Sequence, residues 1–149
     1  MTRKLKQQIR SKLAALDAIP YINQGGCGLV AEELYKWLQY NHLQPKVVIL
    51  EDHYPDHFEA AVRYNDTGYV CNGPAHVVLK IGSTFIDSMG FHRGNDFLYE
   101  WGEPINTPIE LLEYWNLKPD YWNFRFDRHK YLKQIKTIVW SGTQLSLDL

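Results

Sequence analysis

Apolar residues recur at helical spacing in two segments near the amino terminus. The first segment predicts a helix over residues 3–18, which ends before Pro20 because proline cannot continue a helix. Its apolar positions are Leu5, Ile9, Leu13 and Leu16. The second segment predicts a helix that begins at or just before Cys27. Its inner positions are Val30, Leu34, Trp37 and Leu38.

After Pro45 the spacing changes to that of strands. Strands are predicted over residues 46–50, 58–64, 76–81 and 84–87. Between the last two lies Gly82-Ser83, a glycine-first pair of the kind that closes a two-residue hairpin.

Helical patterns return in the last third of the chain. Thr107, Pro108 and Glu110 match a capping box with proline at the first helical position, which predicts a short helix over residues 108–115. Residues 127–138 have helical spacing, although the overlapping stretch "KTIVW" also fits a strand. The order of helices, antiparallel sheet and helices predicts an α+β fold, which we expect to form a single domain over residues 1–149.

The composition is that of an ordinary globular protein, with 45% hydrophobic and 22% charged residues in a chain of 149. The net charge of −1 gives no overall attraction to nucleic acid or acidic lipid. Basic residues crowd two segments, residues 3–12 and residues 125–136, and such runs are typical of solvated helix faces. We find no signal-peptide pattern and no apolar run long enough to cross a bilayer. Two cysteines do not make a disulfide framework, so we expect a reducing, cytoplasmic setting. From the net charge and the lack of a long apolar run we expect no nucleic-acid or membrane partner.

Cys27 lies in "GGCGLV", between glycines and at the predicted start of a helix. Glycines let the backbone turn sharply and approach a ligand closely. The positive end of the helix macrodipole favours thiolate over thiol, and free N–H groups of the first turn can stabilise an oxyanion. This position therefore favours a nucleophile, with a small buried apolar residue as the alternative.

A nucleophilic thiol needs a base, and the chain has six histidines. His76 is the best candidate because it opens an apolar strand directly after the turn-rich "CNGPA". His92 is expected in a glycine-flanked loop, and His42 and His129 are expected at solvated helix ends.

Two metal sites can be considered as alternatives. His53 and His57 have the i,i+4 spacing of a metal pair, but the proline between them argues against a helix. Cys27, Cys71 and His76 could form a zinc site, but neither cysteine has the close-spaced partner typical of structural zinc. We therefore expect neither a metal nor a cofactor.

The predicted hairpin also supplies a carboxylate for His76. If Gly82-Ser83 is the whole loop, Asp87 lies opposite Val78, and strand alternation puts His76 and Asp87 on one face of the sheet as diagonal neighbours. A three-residue loop without a bulge would put them on opposite faces. The two-residue loop thus predicts a Cys27–His76–Asp87 triad.

These residues resemble the papain-like, transglutaminase-like group of cysteine enzymes over about residues 20–90. The segment "GGCGLVA" (25–31) is similar to the Gly-x-Cys-x-x-aromatic-Ala pattern of transglutaminase-like enzymes. The strand "HVVL" (76–79) and the following "FID" (85–87) resemble the histidine-bearing strand and its aspartate-bearing neighbour. The tryptophan that often follows that histidine is absent, and Asn23-Gln24 replaces the arginine that arylamine N-acetyltransferases have before the glycine pair.

The resemblance implies a papain-like or transglutaminase-like core with Cys27 as nucleophile, His76 as base and Asp87 as the residue that orients it. By chemical type, Asn23 or Gln24 could donate an amide N–H to an oxyanion hole. The expected function is cysteine-dependent acyl transfer by a peptidase, an amidase or deamidase, or a transglutaminase-like enzyme. Its substrate would be a protein or peptide, or a small amide or thioester.

The alternative is a non-catalytic protein-interaction domain on the same scaffold, with an exposed basic and aromatic surface on residues 113–133. For the enzyme, water as acceptor gives a hydrolase and an amine gives a transferase. The sequence leaves the acceptor and the oligomeric state open.

Overall fold

A computed structural model describes residues 1–52, 62–64, 69–71, 76–94, 101–117 and 125–142. Within these ranges the helices are α1 (Arg3–Asp17), α2 (Cys27–Tyr40), α3 (Ile109–Asn116) and α4 (Arg128–Trp140). The strands are β1 (Lys46–Asp52), β2 (Val62–Tyr64), β3 (Tyr69–Cys71), β4 (His76–Ile81), β5 (Thr84–Asp87), β6 (Gly90–Arg93) and β7 (Trp101–Thr107). The predicted α+β class is confirmed, and α4 shows that the "KTIVW" stretch is helical.

Some predictions fall outside the described residues. These are the His53–His57 pair, residues 58–61 of the second predicted strand, and the side chain of Cys71. No helix of the described part is long and apolar enough to cross a membrane.

Five strands form an antiparallel sheet in the order β6-β5-β4-β1-β7, and β2 pairs with β3 separately. Strand alternation divides the five-stranded sheet into two apolar faces. The face that joins the helices in one core contributes Val47, Ile49, Val77, Leu79 and Ile86. The opposite face carries a second buried cluster of Val48, Leu50, Val78 and Phe85.

The predicted short helix is confirmed as α3, but the prediction of a capping box with Pro108 as the first helical residue is wrong. Ile109 is the first helical residue, and Pro108 takes the capping position without a side-chain hydrogen bond. Thr107 instead ends β7 opposite Val47, and its hydroxyl donates to the Ile105 carbonyl at 3.2 Å. Strand pairing therefore holds Thr107 away from the capping role that its local sequence favours.

The expected exposure of the aromatic stretch is also wrong at two positions. Trp115 and Phe126 are buried in the core with the helices. Residues 118–124 of this stretch lie outside the described ranges. At least these two rings stabilise the fold and do not form a surface.

The start of α2 is held against the end of α3. Asn116 donates from Nδ2 to the Gly28 carbonyl at 2.9 Å and to Glu32 Oε1 at 3.2 Å. A Cβ atom added at Gly28 would lie 2.5 Å from Asn116 Oδ1, closer than real contacts allow. Gly28 is therefore required for this packing, next to the residue of greatest chemical interest.

We expect Gly28→Ala to lower the free energy of unfolding by about 1–3 kcal/mol, because the added methyl group overpacks a buried contact. In an Asn116→Ala background the same change should be neutral or stabilising by up to about 1 kcal/mol, since alanine is the better helix former. Urea unfolding of the four proteins of this cycle measures both effects. An equal loss of stability in both backgrounds would show that Asn116 is not the cause.

Candidate active site

Cys27 is the first residue of α2, and the glycines before it shape the turn into the helix. Gly25 has a φ of 125°, a conformation that side chains rarely adopt. The Gly26 N–H donates to the Ile22 carbonyl at 2.9 Å, and a Cβ at Gly26 would lie 2.6 Å from that oxygen. The chain can therefore make this tight approach only with glycine, and the approach places the thiol at the helix start.

β4 and β5 form the predicted hairpin around Gly82-Ser83. Ile81 pairs with Thr84, so the predicted register is confirmed. As a result His76 and Asp87 lie on the same face, and His76 Nε2 is 2.8 Å from Asp87 Oδ2. Both residues are buried.

The Cys27 sulfur is hydrogen-bonded to the His76 ring. Because Nε2 of His76 is bonded to Asp87, Nδ1 is the ring nitrogen left for the sulfur. Backbone N–H groups of Val77 and Gly28 also donate to the sulfur. The structure thus brings together the three side chains that the sequence singles out.

These contacts shift the pKa values of Cys27 and His76 in opposite directions. Burial raises the pKa of the Cys27 thiol, but the hydrogen bond and charge of His76 and the two backbone N–H groups outweigh it, so the pKa is below its ordinary value. Burial lowers the pKa of His76, whereas hydrogen bonds and charges from Asp87 and Cys27 raise it to about 10. Such a pair favours a thiolate beside an imidazolium.

Asp87 is held by donors on both carboxylate oxygens. Oδ2 faces His76, and Oδ1 accepts from the Met89 N–H at 2.9 Å and lies 2.7 Å from His92 Nε2. Burial raises the pKa of Asp87, but the hydrogen bonds and charges of His76 and His92 outweigh it and leave the pKa lowered. These contacts therefore fix the Asp87 carboxylate in a position where it bonds to His76 Nε2.

His92 was expected in a loop, and this expectation is wrong. It lies in β6, opposite Phe85, and shares the face of Asp87. The sequence feature that could have placed His92 is the turn after β5. Asp87 pairs with Gly90, whose φ of 130° favours glycine, so a second hairpin follows the first. Extending the alternation through that turn would have placed His92 beside Asp87.

The two candidate oxyanion residues differ in position. Asn23, together with Cys27 and Asp87, lines a cavity of about 10 Å³, which holds no more than one water. Asn23 Oδ1 accepts from the Ser88 hydroxyl at 3.0 Å. Gln24 is exposed at its side chain and contributes its backbone carbonyl to a hydrogen bond with another loop. Of the two, Asn23 is the one placed at the cavity beside the thiol.

Ser88 was not singled out by the sequence and lies at the same edge of the site. Its hydroxyl is 3.2 Å from Asp17 Oδ1 and can donate its single proton either there or to Asn23. The Asn23 amide nitrogen donates to the same Asp17 oxygen at 3.4 Å. A polar group of Asp17, Asn23 and Ser88 therefore adjoins the thiol and its partners.

Within the described ranges, no group of three or more His, Cys, Asp or Glu side chains is arranged to hold a metal ion. The zinc alternative includes Cys71, and the paired-histidine alternative includes His53 and His57, whose side chains are not described. Both alternatives stay hypotheses.

Comparison of the chain with models of protein families, with curated proteins and with solved structures finds no match. The role of the site is therefore inferred from its own contacts and charges.

The pKa shifts predict how the Cys27–His76 pair contributes to stability. The raised pKa of His76 gives stability that is lost as the pH rises from 6.5 through about 10. The lowered pKa of Cys27 gives stability that is present above 9.0 and is lost as the pH falls through the folded value. Below 9.0, and above both 6.5 and the lowered folded pKa of Cys27, the folded pair binds one proton on His76 and the unfolded pair binds one on Cys27, so the slopes cancel.

We therefore expect a plateau in the stability difference between the wild type and the Cys27→Ala/His76→Gln double variant. Urea unfolding should give a difference that is constant over an interval ending near pH 9.0. The difference should become smaller above pH 9.0, where the unfolded thiol loses its proton, and the interval should end on the acid side where the folded thiol or the unfolded imidazole gains one. His129→Gln, which changes an exposed histidine of α4, is the matched control. A difference that changes steadily across this interval would mean that one group titrates alone and that no ion pair forms.

Proposed function

We propose that this chain is a cysteine-dependent acyl-transfer enzyme with a papain-like or transglutaminase-like core. The observation that carries the proposal is the hydrogen-bonded series of Cys27, His76 and Asp87, with the sulfur at the start of α2. A nucleophile, a base bonded to it, and a group that orients the base are what thiol catalysis needs. The position of α2 against β4 and β5 supports the same kind of core.

The proposed reaction begins when the Cys27 thiolate attacks the carbonyl carbon of an amide or related substrate. A sulfur–carbon bond forms, and an electron pair of the carbonyl moves to its oxygen, where N–H groups of the first turn of α2 can stabilise it. The oxyanion collapses, the bond to the leaving group breaks, and His76 gives its proton to that group. The product at this stage is a thioester on Cys27.

The thioester is then resolved by water or by an amine. His76 takes a proton from the acceptor, the acceptor attacks the thioester carbon, and the sulfur leaves as thiolate. Asp87 holds the imidazole ring in place and stabilises its charged form throughout. Since the nucleophile is a free thiol, a reducing, cytoplasmic setting fits this proposal.

One observation favours the alternative, a non-catalytic interaction domain. Cys27 is only 7% exposed, and a free cysteine with so little exposure is often a packing residue. However, Cys27 is hydrogen-bonded to the His76 ring, and the buried Asp87 carboxylate favours the charged form of that ring. Burying such charged groups is costly, and a cysteine that only fills space in the core does not require them. Access of a small reagent to Cys27 separates the two functions.

We expect the rate at which iodoacetamide labels Cys27 to rise with pH well below 9.0, which is the ordinary pKa of a cysteine thiol. His76→Gln should move this rise to higher pH and lower the labelling rate on the acid side by about tenfold or more, because each unit of pKa is a tenfold change in thiolate fraction. Peptide mass mapping assigns the label and uses Cys71 as an internal reference. A profile that does not respond to His76→Gln would overturn the proposal.

Turnover can be tested with p-nitrophenyl acetate, whose carbonyl is activated. We expect a burst of nitrophenolate and one acetyl group on Cys27 by intact-protein mass spectrometry, both absent in Cys27→Ala. His76→Gln should slow acylation, and His129→Gln should leave it unchanged. Acetylation that persists in Cys27→Ala would place the chemistry elsewhere.

A further inference from the structure

A second, larger pocket lies next to the proposed nucleophile. Its volume is about 440 Å³, within the range of small-molecule sites, and it is formed between α1 and the turn from β5 to β6. Its lining includes Arg10, Leu13, Asp17, Ser88, Met89 and Phe91. Ser88 also lines the small cavity at Cys27, so the pocket and the thiol adjoin each other.

Asp17 brings to this pocket a carboxylate that has no ion-pair partner among the described residues, although Arg10 also lines the pocket. It is the last residue of α1, where the helix macrodipole is negative and a cation is favoured. The last turn of α1 has no basic residue, and within the described part of the chain no lysine, arginine or histidine forms an ion pair with Asp17. In the described ranges its carboxylate is bonded to neutral groups, the hydroxyl of Ser88 and the amide of Asn23.

The rest of the pocket lining is apolar apart from Arg10, whose guanidinium packs on an aromatic ring. Leu13 is buried and Met89 is largely exposed, so the walls can accept a small side chain. The guanidinium of Arg10 lies 5.4 Å from the centre of the Phe91 ring, and the Lys6 ammonium lies 5.6 Å from it. Both cations thus pack on an aromatic face, and neither forms an ion pair with Asp17.

We propose that this pocket binds the ammonium group of an amino acid or of a peptide amino terminus, with Asp17 as the counter-ion. The inference rests on the proposed acyl transfer and names its substrate class: aminoacyl or peptidyl carbonyl compounds with a free amino terminus. The ammonium would meet both the carboxylate and the negative end of α1. The substrate carbonyl would then extend past Ser88 towards Cys27.

The test uses three chloromethyl ketones. One is made from alanine with a free amine, one from N-acetylalanine, and one from lysine that is acetylated at its α-amine and keeps its side-chain ammonium. In each, the Cys27 thiolate displaces chloride, so a sulfur–carbon bond replaces the carbon–chlorine bond. Rates of labelling at Cys27 are divided by the rate of each reagent with glutathione, which removes differences in intrinsic reactivity. The free-amine alanine reagent should react about fivefold faster than the acetylated one, the size expected for one partly exposed ion pair.

Variants then assign the preference to Asp17. Asp17→Asn should reduce the ratio to about one, whereas Asp17→Glu, which keeps the charge, should preserve a preference. Glu110→Gln removes an exposed carboxylate of α3 that does not line the pocket and should leave the ratio unchanged. Thermal unfolding of each variant verifies that the fold is retained.

The possible failures are distinguishable. A ratio of one in the wild type, or a preference that survives Asp17→Asn, overturns the ammonium site while the iodoacetamide profile still supports acyl transfer. A faster reaction with the lysine reagent than with free-amine alanine would assign the pocket to a side-chain ammonium and overturn the amino-terminal assignment. A missing thiolate step in the iodoacetamide profile overturns the acyl-transfer proposal itself.

Discussion

The register of the β4–β5 hairpin is the constraint on which the site depends. Because the loop has two residues, alternation puts His76 and Asp87 on one face, close enough for a 2.8 Å hydrogen bond. A shift by one residue would turn one of them to the other face and separate the imidazole from its carboxylate. The same shift would also exchange the residues of the two buried faces of the sheet, so core packing and site geometry select the same register.

Burial and charge act against each other at this site, and the contacts decide the outcome. At 7%, 8% and 4% exposure, Cys27, His76 and Asp87 would each favour the neutral form if they were isolated. The hydrogen-bonded series reverses this preference, because each charged group lies against an opposite charge or an N–H donor. Removing one member therefore leaves the next one buried and uncompensated, which is costlier than losing an ordinary surface ion pair.

The parts of the structure that the sequence could predict are those governed by local periodicity. The starts of α1 and α2 and the pairing around Gly82-Ser83 follow from spacing within a few residues. The contacts of Asn116 with Gly28 and of Ser88 with Asp17 join positions far apart in the chain, and no local pattern encodes them. Thr107 is the reverse case, since its local capping signal is strong and strand pairing overrides it.

Departures from favourable local chemistry gather around the start of α2 and the end of α1. Gly28 lies in the first turn of α2, where alanine is the better helix former, Asn116 Oδ1 is buried without a hydrogen-bond partner in the described structure, and Asp17 stands at the negative end of a helix. A sequence selected for stability alone would replace Asp17 with a basic or neutral residue. Gly28 directly follows a thiol whose contacts favour its charged form, and Asp17 is hydrogen-bonded to Asn23 and Ser88, which line the cavity beside that thiol. Packing against Asn116 accounts for Gly28, and the hydrogen bonds with Ser88 and Asn23 hold the Asp17 carboxylate at the unfavourable end of α1.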